Sequence, residues 1–431
     1  MPKSKFILAG PSERQQYFVH NYNDNSIRFV LNYPGLIDPD AMKQTVKKVV
    51  DSVNILHGSF FTDSINAYWR INEDVDDIHY FHYIRCSGDP AETAYSLSLF
   101  PVFAEDKVQI RVWLVQSDNA SSLVVVISHL AVDGGDGKYL LCKIIEGYNM
   151  VLENGNCDGL EVKNGSRAPE KLYTELSTKE VFGLVGMIAN QLPKALSLYP
   201  FPSEEMGMVR HLRKVIPAET MSAARKRAKA VGASANDLLV TALTKAYADL
   251  DSIDETQPIS VTSMMDLRKH CKDGESEGLC NMSGSMPTYM ENGVQGSFEE
   301  TLKEVAMQTS AAKSDPYAGL AGMPLIHSAT RNVPMGLLLK FVGKMYEKAS
   351  LGLTNLGNVS CADYALGGIA PSGGFFGGPV KKKPGMQVAT MSFDGECVLA
   401  VCGQFTDEDT ALLQSTLDAM VSYIETYGKE E

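Results

Sequence analysis

The sequence lacks the short motifs that identify several common classes of protein. It contains no GxxxxGK[ST] phosphate-binding loop, no HExxH zinc motif and no CxxC pair among its eight cysteines. Gly135 and Gly137 do not form a GxGxxG dinucleotide-binding fingerprint, because Leu140 occupies the position of the third glycine. These absences argue against nucleotide binding, and no bound metal is expected.

Long hydrophobic runs and an excess of basic residues are also missing. No apolar segment approaches the ~20 residues that cross a bilayer, and the apolar stretch near the N-terminus is too short for a signal peptide. A formal net charge of −13 disfavours nonspecific nucleic-acid binding, which depends on basic patches. The scattered cysteines are typical of reduced thiols. We therefore expect a cytoplasmic protein with no membrane span and no nucleic-acid partner.

The most informative segment present covers residues 123–138 and has the sequence LVVVISHLAVDGGDGK. Five branched apolar residues, 123–127, predict a buried strand, and His129 follows its end. A glycine-rich turn comes next, and residues 138–154 carry a helical apolar face that ends at Gly155. The segment therefore predicts a strand, a sharp turn and a helix.

His129 is a candidate general base, because an imidazole with an unperturbed pKa of about 6.5 can accept and return a proton near neutral pH. Asp133 could hold this ring directly by a hydrogen bond, or indirectly by fixing the turn through an ion pair with an arginine. The spacing of the two residues is compatible with both arrangements. A structural histidine that ends a strand is the alternative interpretation.

Residues 129–134, HLAVDG, resemble the HxxxDG active-site motif of the chloramphenicol acetyltransferase-like superfamily, which includes alcohol acetyltransferases, plant-type acyltransferases and peptide-synthetase condensation domains. Four further segments are similar to motifs of this superfamily and follow its order along the chain. They are VVDSVNILHGSF at 49–60, SANDLLVTAL at 234–243, ISVTSMMDLR at 259–268 and TNLG at 354–357.

The resemblance implies an α/β fold of two lobes, each a mixed sheet flanked by helices, with an active-site channel between the lobes. With 431 residues, of which 44% are hydrophobic, the chain can bury cores of this size. We expect residues 1–157 to form the N-terminal lobe, 158–207 to connect the lobes and 208–431 to form the C-terminal lobe.

The resemblance also implies roles for individual residues. His129 matches the base that deprotonates an acceptor hydroxyl or amine, which then attacks an acyl thioester. Asp133 matches a residue that faces away from the substrate and pairs with an arginine, and Gly134 matches a glycine that lets the backbone approach the reacting centre. Arg268 is the candidate for the arginine; the alternative is an exposed arginine after a strand.

Two positions depart from relatives in the superfamily. Ser128 replaces the first histidine of the HHxxxDG motif found in condensation domains, which weakens the interpretation as a peptide-forming enzyme. Residues 374–379, GFFGGP, match the plant-type DFGWG motif only in part. This segment could shape the acyl tunnel or the donor loop, or it could be a glycine-rich surface turn.

A coenzyme A donor would need a local basic patch on this acidic chain. Lys381, Lys382 and Lys383 could bind its phosphates, with a second basic face as another candidate, although charged runs are usually solvated surface. This second face consists of Lys340, Lys344 and Lys348. For the oxyanion donor the candidates are the backbone near Gly134 and the hydroxyls of Ser263 and Thr354.

The sequence therefore predicts an acyltransferase that moves an acyl group from a thioester to a small-molecule alcohol or amine. An acyl-CoA is the expected co-substrate, and no tightly bound cofactor is expected. Two alternatives stay open: a free-standing condensation-type synthase that uses thioesters of an acyl carrier protein, and a non-catalytic member of the fold that binds a ligand.

Overall fold

The computed structural model describes residues 5–63, 66–76, 79–169, 171–174, 176–186, 194–195, 197–271, 273–315, 317–320, 323–334, 336–340 and 351–429. Its strands are β1 (Lys5–Leu8), β2 (Ser26–Tyr33), β3 (Gly58–Thr62), β4 (Ala67–Ile71), β5 (Phe81–Arg85), β6 (Ile110–Gln116), β7 (Ser121–Ser128), β8 (Met208–Ile216), β9 (Ile259–Asp266), β10 (Ser283–Met290), β11 (Leu351–Val359), β12 (Gly373–Gly377), β13 (Gln387–Phe393) and β14 (Glu396–Phe405).

The helices alternate with these strands in both halves of the chain. They are α1 (Pro11–Phe18), α2 (Pro39–Ser52), α3 (Pro90–Leu97), α4 (Gly134–Asn154), α5 (Lys171–Thr174), α6 (Thr178–Gly186), α7 (Ala218–Ala230), α8 (Ala235–Ala248), α9 (Phe298–Ser314), α10 (Met323–Asn332) and α11 (Asp407–Lys429).

The first lobe is built on a five-stranded sheet with the order β12-β2-β7-β6-β5. The central strand β7 is buried along all eight residues, as the apolar run at 123–127 predicts, because both faces of the sheet are covered. The pairs are antiparallel except β5 with β6. The same part of the chain also forms a small three-stranded sheet with the order β1-β4-β3.

Helix α4 follows β7 after a short turn and begins at Gly134, four residues before the predicted start. Asp133 is its N-cap, and the Asp133 side chain accepts a hydrogen bond from the Asp136 N–H, which lets the glycine-rich segment enter the first turn. Gly155 ends the helix with φ 77°, a left-handed conformation that glycine adopts without strain. The cap therefore makes the glycines part of the helix.

The second lobe contains a six-stranded sheet with the order β10-β9-β11-β13-β14-β8. Its hairpin between β13 and β14 turns at Asp394 and Gly395, with φ of 48° and 96°. Positive φ at both positions is the requirement of a type I′ turn, and the Asp-Gly pair in the sequence predicts this turn. Thr406 and Asp409 then cap α11 reciprocally, as their spacing predicts.

The start of α8 differs from the sequence prediction. Asparagine is a common cap residue, so the sequence predicts Asn236 as the N-cap of this helix. In the structure Ser234 is the N-cap and forms a capping box with Asp237. The Ser234 hydroxyl accepts from the Asp237 N–H, and Asp237 accepts from the Ser234 N–H in return. Because each side chain accepts the backbone N–H of the other residue, the helix begins two residues earlier than a cap at Asn236 would place it.

Strand β12 connects the two lobes. It comes from the C-terminal half of the chain but pairs antiparallel with β2 in the first sheet, with Phe376 opposite Phe29. Phe375 and Phe376 are buried. Residues 374–377 therefore belong to strand β12, and residues 378–379 follow it directly. The alternative of a surface turn is wrong. The lobe boundaries at 157 and 207 stay predictions.

Two further properties concern the chain as a whole. All eight cysteines are free thiols, and four of them are buried. Within the described ranges, no helix combines the length and the apolar character needed to cross a membrane.

Gly137 brings α4 close to the first sheet. A Cβ atom there would lie 2.7 Å from Ile27 Cδ1 and 2.9 Å from Phe29 Cε2, and both side chains are buried. We expect Gly137→Ala to lower the free energy of unfolding by about 1–3 kcal/mol through overpacking. Denaturation with urea measures this loss.

The matched control for this substitution is another helical glycine, Gly183 in α6, which is exposed and would have no atom within 4 Å of an added Cβ. Gly183→Ala should be neutral or stabilise the protein by up to about 1 kcal/mol. Equal effects of the two alanines would contradict the close approach of α4 to β2.

Candidate active site

His129 lies directly after the buried strand β7, where the chain turns toward α4. Its backbone N–H donates to the Asn25 carbonyl (2.6 Å), which ties the turn to the residue preceding β2. Asn25 has φ 47°, so the backbone at this tie is in the left-handed region. The backbone position of His129 is therefore fixed by its contact with Asn25.

The ring of His129 is oriented through Nδ1. This nitrogen lies 2.9 Å from the Val132 carbonyl oxygen and 3.0 Å from Asn281 Nδ2. Since a carbonyl oxygen only accepts, Val132 favours the tautomer with hydrogen on Nδ1, which leaves the lone pair of Nε2 available to take a proton. The amide nitrogen of Asn281 is a donor and favours the opposite tautomer.

Burial lowers the pKa of His129 below its usual value; the Asp133 carboxylate raises it, and Lys381 lowers it. Because burial is the largest of these effects, the neutral imidazole is the favoured form at neutral pH. A neutral ring is the form that a general base requires.

Asp133 holds the turn rather than the ring. Its carboxylate accepts hydrogen bonds from the Asp136 N–H (2.9 Å), the Met282 N–H (2.8 Å) and both terminal nitrogens of Arg268 (3.0 and 3.1 Å). These four bonds use the carboxylate fully, and it is only 2% exposed. Of the two arrangements open in the sequence, the structure has the ion pair with an arginine.

Arg268 binds a second buried carboxylate that the sequence analysis missed. Asp136 Oδ2 lies 2.8 Å from Arg268 Nη2 and accepts from the Cys280 N–H (2.7 Å). Desolvation raises the pKa of Asp136 to about 6, the neighbouring Asp133 adds to the rise, and Arg268 opposes it. The only signal in the sequence was an acidic residue in the first turn of the helix, where it interacts favourably with the helix dipole.

The contacts of Arg268 join the two lobes at this point. Arg268 follows β9 of the second sheet, whereas Asp133 and Asp136 begin α4 of the first lobe. Its guanidinium also donates to the Cys280 carbonyl, and it contacts Asp266, which is more exposed. Arg268 is 7% exposed, so the alternative of an exposed arginine is wrong.

The His129 ring forms part of the wall of a cavity of about 320 Å³ between the lobes. Residues of the first lobe and of the second sheet both line it, which is the position predicted for a channel. Its walls include an apolar set and a polar set. The apolar set is Val19, Ile27, Met264, Met323, Phe376 and Pro379, and the polar set is Gln15, Gln16, Asn23, Ser283, Ser285, Thr354, Lys381 and Gln387.

Gly134 lies in this cavity wall. A Cβ atom there would be 2.8 Å from Leu356 Cδ2, so a larger residue would push against β11. Thr354, one of the two candidate hydroxyls for the oxyanion, also lines the cavity. Ser263 is 1% exposed and donates its hydroxyl to the Met286 carbonyl, so its hydrogen is already used.

The three consecutive lysines have three different environments. Lys381 lines the cavity, and Lys382 is exposed. Lys383 is bound internally: its ammonium contacts Asp409 (2.5 Å) and donates to the carbonyls of Ser203 and Glu205 (2.6 Å each). The expected phosphate-binding role of Lys383 is therefore wrong, because its side chain is buried and its charge is neutralised.

The second basic face cannot be described as a unit. Lys340 is exposed, whereas Lys344 and Lys348 lie outside the described residues.

Among the described residues, no group of three His, Cys, Asp or Glu side chains is arranged to hold a metal ion.

No family model matches the sequence, and no curated protein is similar to it. Solved structures, in contrast, match over nearly the whole chain. Polyketide synthase associated protein 5 from Mycobacterium tuberculosis is 13% identical, covers 100% of both chains and has a TM-score of 0.71. TRI3 trichothecene 15-O-acetyltransferase from Fusarium sporotrichioides is 12% identical, covers 97% of this chain and 95% of its own, and has a TM-score of 0.72.

The first condensation domain of the CDA synthetase is also similar, with 12% identity, a TM-score of 0.68 and coverage of 98% of this chain and 97% of its own. At these identities the likeness shows the fold alone. The chain has the two-lobe fold shared by condensation domains and chloramphenicol acetyltransferase-like enzymes, and the fold predicted from the sequence is confirmed.

Removal of Arg268 should destabilise the protein, because it leaves Asp133 and Asp136 buried without their counter-charge. We expect Arg268→Met to lower the free energy of unfolding by about 3–5 kcal/mol. Adding Asp133→Asn and Asp136→Asn should recover part of the loss, since no buried charge then stays uncompensated. Thermal and chemical denaturation of the single and triple variants provide the measurement.

A partly exposed ion pair supplies the control for Arg268. Arg210 contacts Asp407 (2.7 Å), whose side chain is largely exposed. Arg210→Met should change the free energy of unfolding by less than about 1 kcal/mol. A loss as large as that of Arg268→Met would show that burial of the pair is not the cause.

Replacement of Asn281 should shift the titration of His129. In Asn281→Asp a carboxylate replaces the amide beside Nδ1, and it should raise the pKa of the ring by favouring the imidazolium. Asn281→Ala removes the amide without adding a charge and should give a smaller shift. An NMR titration of His129 measures both variants; a fall in pKa in Asn281→Asp would contradict the contact.

Proposed function

We propose that the protein is an acyltransferase that uses His129 as the general base. The observation that carries this proposal is the position of the His129 ring: it lies in the wall of an interlobe cavity, and the contact of Nδ1 with the Val132 carbonyl favours the tautomer in which Nε2 can accept a proton. The fold supports it, because proteins of this fold include an acetyltransferase and condensation domains.

In the proposed reaction, His129 Nε2 takes the proton from the hydroxyl or amine of the acceptor. The acceptor atom attacks the thioester carbonyl carbon, and a tetrahedral oxyanion forms. The carbon–sulfur bond then breaks, and the imidazolium returns the proton to the departing sulfur, which leaves as a thiol. Asp133, Arg268 and Asp136 hold the turn in position and take no part in the proton transfer.

The oxyanion requires a donor that is fixed before reaction. Thr354 is the candidate among the hydroxyls considered, since it lines the same cavity as His129. Gly134 contributes space at the start of α4, where backbone N–H groups and the helix dipole favour negative charge.

An acyl-CoA is the proposed donor. The alternative donor, a thioester on an acyl carrier protein, is supported by the similarity to condensation domains. Ser128 weighs against it, because this residue replaces the first histidine of the HHxxxDG motif and is fully buried at the end of β7.

Loss of the base should remove most of the turnover. We expect His129→Ala to lower kcat by about 10²–10⁴-fold, the usual contribution of a positioned base. Release of thiol from acetyl-CoA and longer acyl-CoA thioesters, measured by chromatography against a panel of alcohols and amines, tests this. His79→Ala, which changes an exposed histidine, should leave the rate unchanged.

The pH profile gives a second readout of the same assignment. Because burial lowers the pKa of His129, kcat/KM should rise with pH through a midpoint below about 6.5 and stay level at neutral pH.

Ligand binding without turnover in the wild type would support the non-catalytic alternative. Turnover with carrier thioesters and none with CoA thioesters would move the proposal to the condensation-type reaction.

A further inference from the structure

Arg167, which lies between α4 and α5, contacts three separate segments of the chain around the His129 turn. Its Nη1 donates to the Ala131 carbonyl inside the turn (3.0 Å) and to the Leu279 carbonyl. Its Nε and Nη2 donate to one carboxylate oxygen of Glu13 on α1 (2.9 and 2.7 Å). One guanidinium therefore joins the turn, α1 and the segment that precedes β10.

The backbone that carries Arg167 is held against the segment before β10. The Gly165 N–H donates to the Glu277 carbonyl (3.1 Å), and Asn164 forms an isolated antiparallel bridge with Gly278. A Cβ atom on Gly165 would lie 2.6 Å from the Glu277 carbonyl oxygen, so the two backbones are in direct contact. The side chain of Arg167 therefore extends from a fixed position.

The two carbonyls that this guanidinium binds lie next to the two contacts of the His129 ring. Ala131 precedes Val132, whose carbonyl oxygen is 2.9 Å from Nδ1. Leu279 comes two residues before Asn281, whose amide nitrogen is 3.0 Å from Nδ1. The guanidinium thus restrains both segments that contact Nδ1, and it does so through their backbones.

The chemistry of the contacts requires an arginine. Ala131 and Leu279 are buried, and a buried carbonyl that loses its donor is costly, so its segment would move toward another partner. A planar guanidinium can bind a carboxylate along one edge and still donate from its remaining nitrogen. A lysine ammonium lacks this fork, so it cannot reproduce the whole set of contacts from one position.

The contact with Glu13 extends this arrangement to the cavity. Glu13 lies in the first turn of α1, and Gln15 and Gln16 of the same helix line the cavity beside His129. The side chain of Glu13 is buried, and its second carboxylate oxygen accepts from the Gly10 N–H. Arg167 therefore connects a helix of the cavity wall to the turn that carries His129.

We propose that Arg167 is a positioning residue for His129, which fixes the orientation of the imidazole by holding the Ala131 and Leu279 carbonyls while Glu13 holds the guanidinium. This inference rests on the proposed acyltransferase function, in which His129 is the general base. A misplacement of about 1 Å in a reacting group can lower a rate by about 10²-fold. The ring should therefore be a slower base without this contact, although the reacting groups are all still present.

Three variants of the whole chain test the inference. Arg167→Met removes the guanidinium and keeps an unbranched side chain, whereas Arg167→Lys keeps the positive charge beside Glu13. Arg227→Met is the matched control, because Arg227 also joins three elements: it lies on α7, pairs with Glu299 on α9 (3.2 Å) and donates to the Tyr427 carbonyl on α11 (3.3 Å). Among the described residues, none of these three helices lines the cavity.

The tautomer of His129 is the readout that a purely structural role would not change. The ¹⁵N chemical shifts of Nδ1 and Nε2 are measured in histidine-labelled protein without substrate, and His129→Ala assigns the signals. We expect Arg167→Met to move both shifts toward those of an exposed histidine, because the contacts of Nδ1 set the tautomer. Arg227→Met should leave the shifts unchanged, even if it lowers the melting temperature.

Kinetic constants with acyl-CoA donors supply the second readout. We expect Arg167→Met to lower kcat by about 10–100-fold and to change KM less than kcat, since the misplaced group is the base. Arg227→Met should keep the kcat of the wild type. Arg167→Lys should recover much of the thermal stability through its ion pair with Glu13, but its ring shifts and kcat should follow those of Arg167→Met. If Arg167→Met does not fold, Arg167→Lys carries the test.

Two results would overturn the inference. One is a folded Arg167 variant with the ring shifts and kcat of the wild type, which for Arg167→Lys would mean that charge alone is sufficient. The other is a change of the same size in Arg227→Met, which would mean that the effect is general destabilisation.

The labelling experiment needs no turnover, so it separates this inference from the proposed function. If the ring shifts respond to Arg167→Met while the wild type cleaves no thioester, the positioning role stands and the acyltransferase proposal is wrong. If the wild type cleaves thioesters and the Arg167 variants retain its ring shifts and kcat, the acyltransferase proposal stands and the positioning role is wrong.

Discussion

The arrangement of the candidate active site depends on one buried guanidinium between two carboxylates. Arg268 extends from the end of β9 in the second lobe to Asp133 and Asp136 in the first turn of α4. Each carboxylate also accepts a backbone N–H from the segment that precedes β10. Because burial makes every unpaired charge in this group costly, the three side chains and the two lobes must keep one relative position.

This constraint explains how a short turn can orient the ring of His129. His129 is only four residues from Asp133, and its ring is directed by the Val132 carbonyl immediately before the fixed aspartate. Asn25 holds the other side of the turn through the His129 N–H. The ring is therefore positioned by contacts with the backbone of its own turn and of Asn25, and it lines the cavity between the lobes.

Local patterns made much of the fold predictable, whereas contacts between distant segments were not. The run at 123–127, the Asp394–Gly395 turn and the Thr406 cap are determined by residues close in sequence. Asp136 and Asn281 were missed, since their importance comes from Arg268 and His129, more than a hundred residues away along the chain. Only the motif order suggested Arg268 as the partner of Asp133, and spacing could not show that it is buried.

The lysine run shows why charge in a sequence is a weak guide to a binding site. Three identical neighbours become a cavity residue, a solvated residue and a buried counter-ion, because the chain crosses from the first sheet to β13 at this point. Lys383 neutralises Asp409 at the start of α11 and so contributes to the second lobe rather than to a ligand site. Lys381 is bonded through its backbone to β14 and lines the same cavity as His129. The environment of each lysine therefore depends on where the backbone directs its side chain, which the run of like charges in the sequence does not reveal.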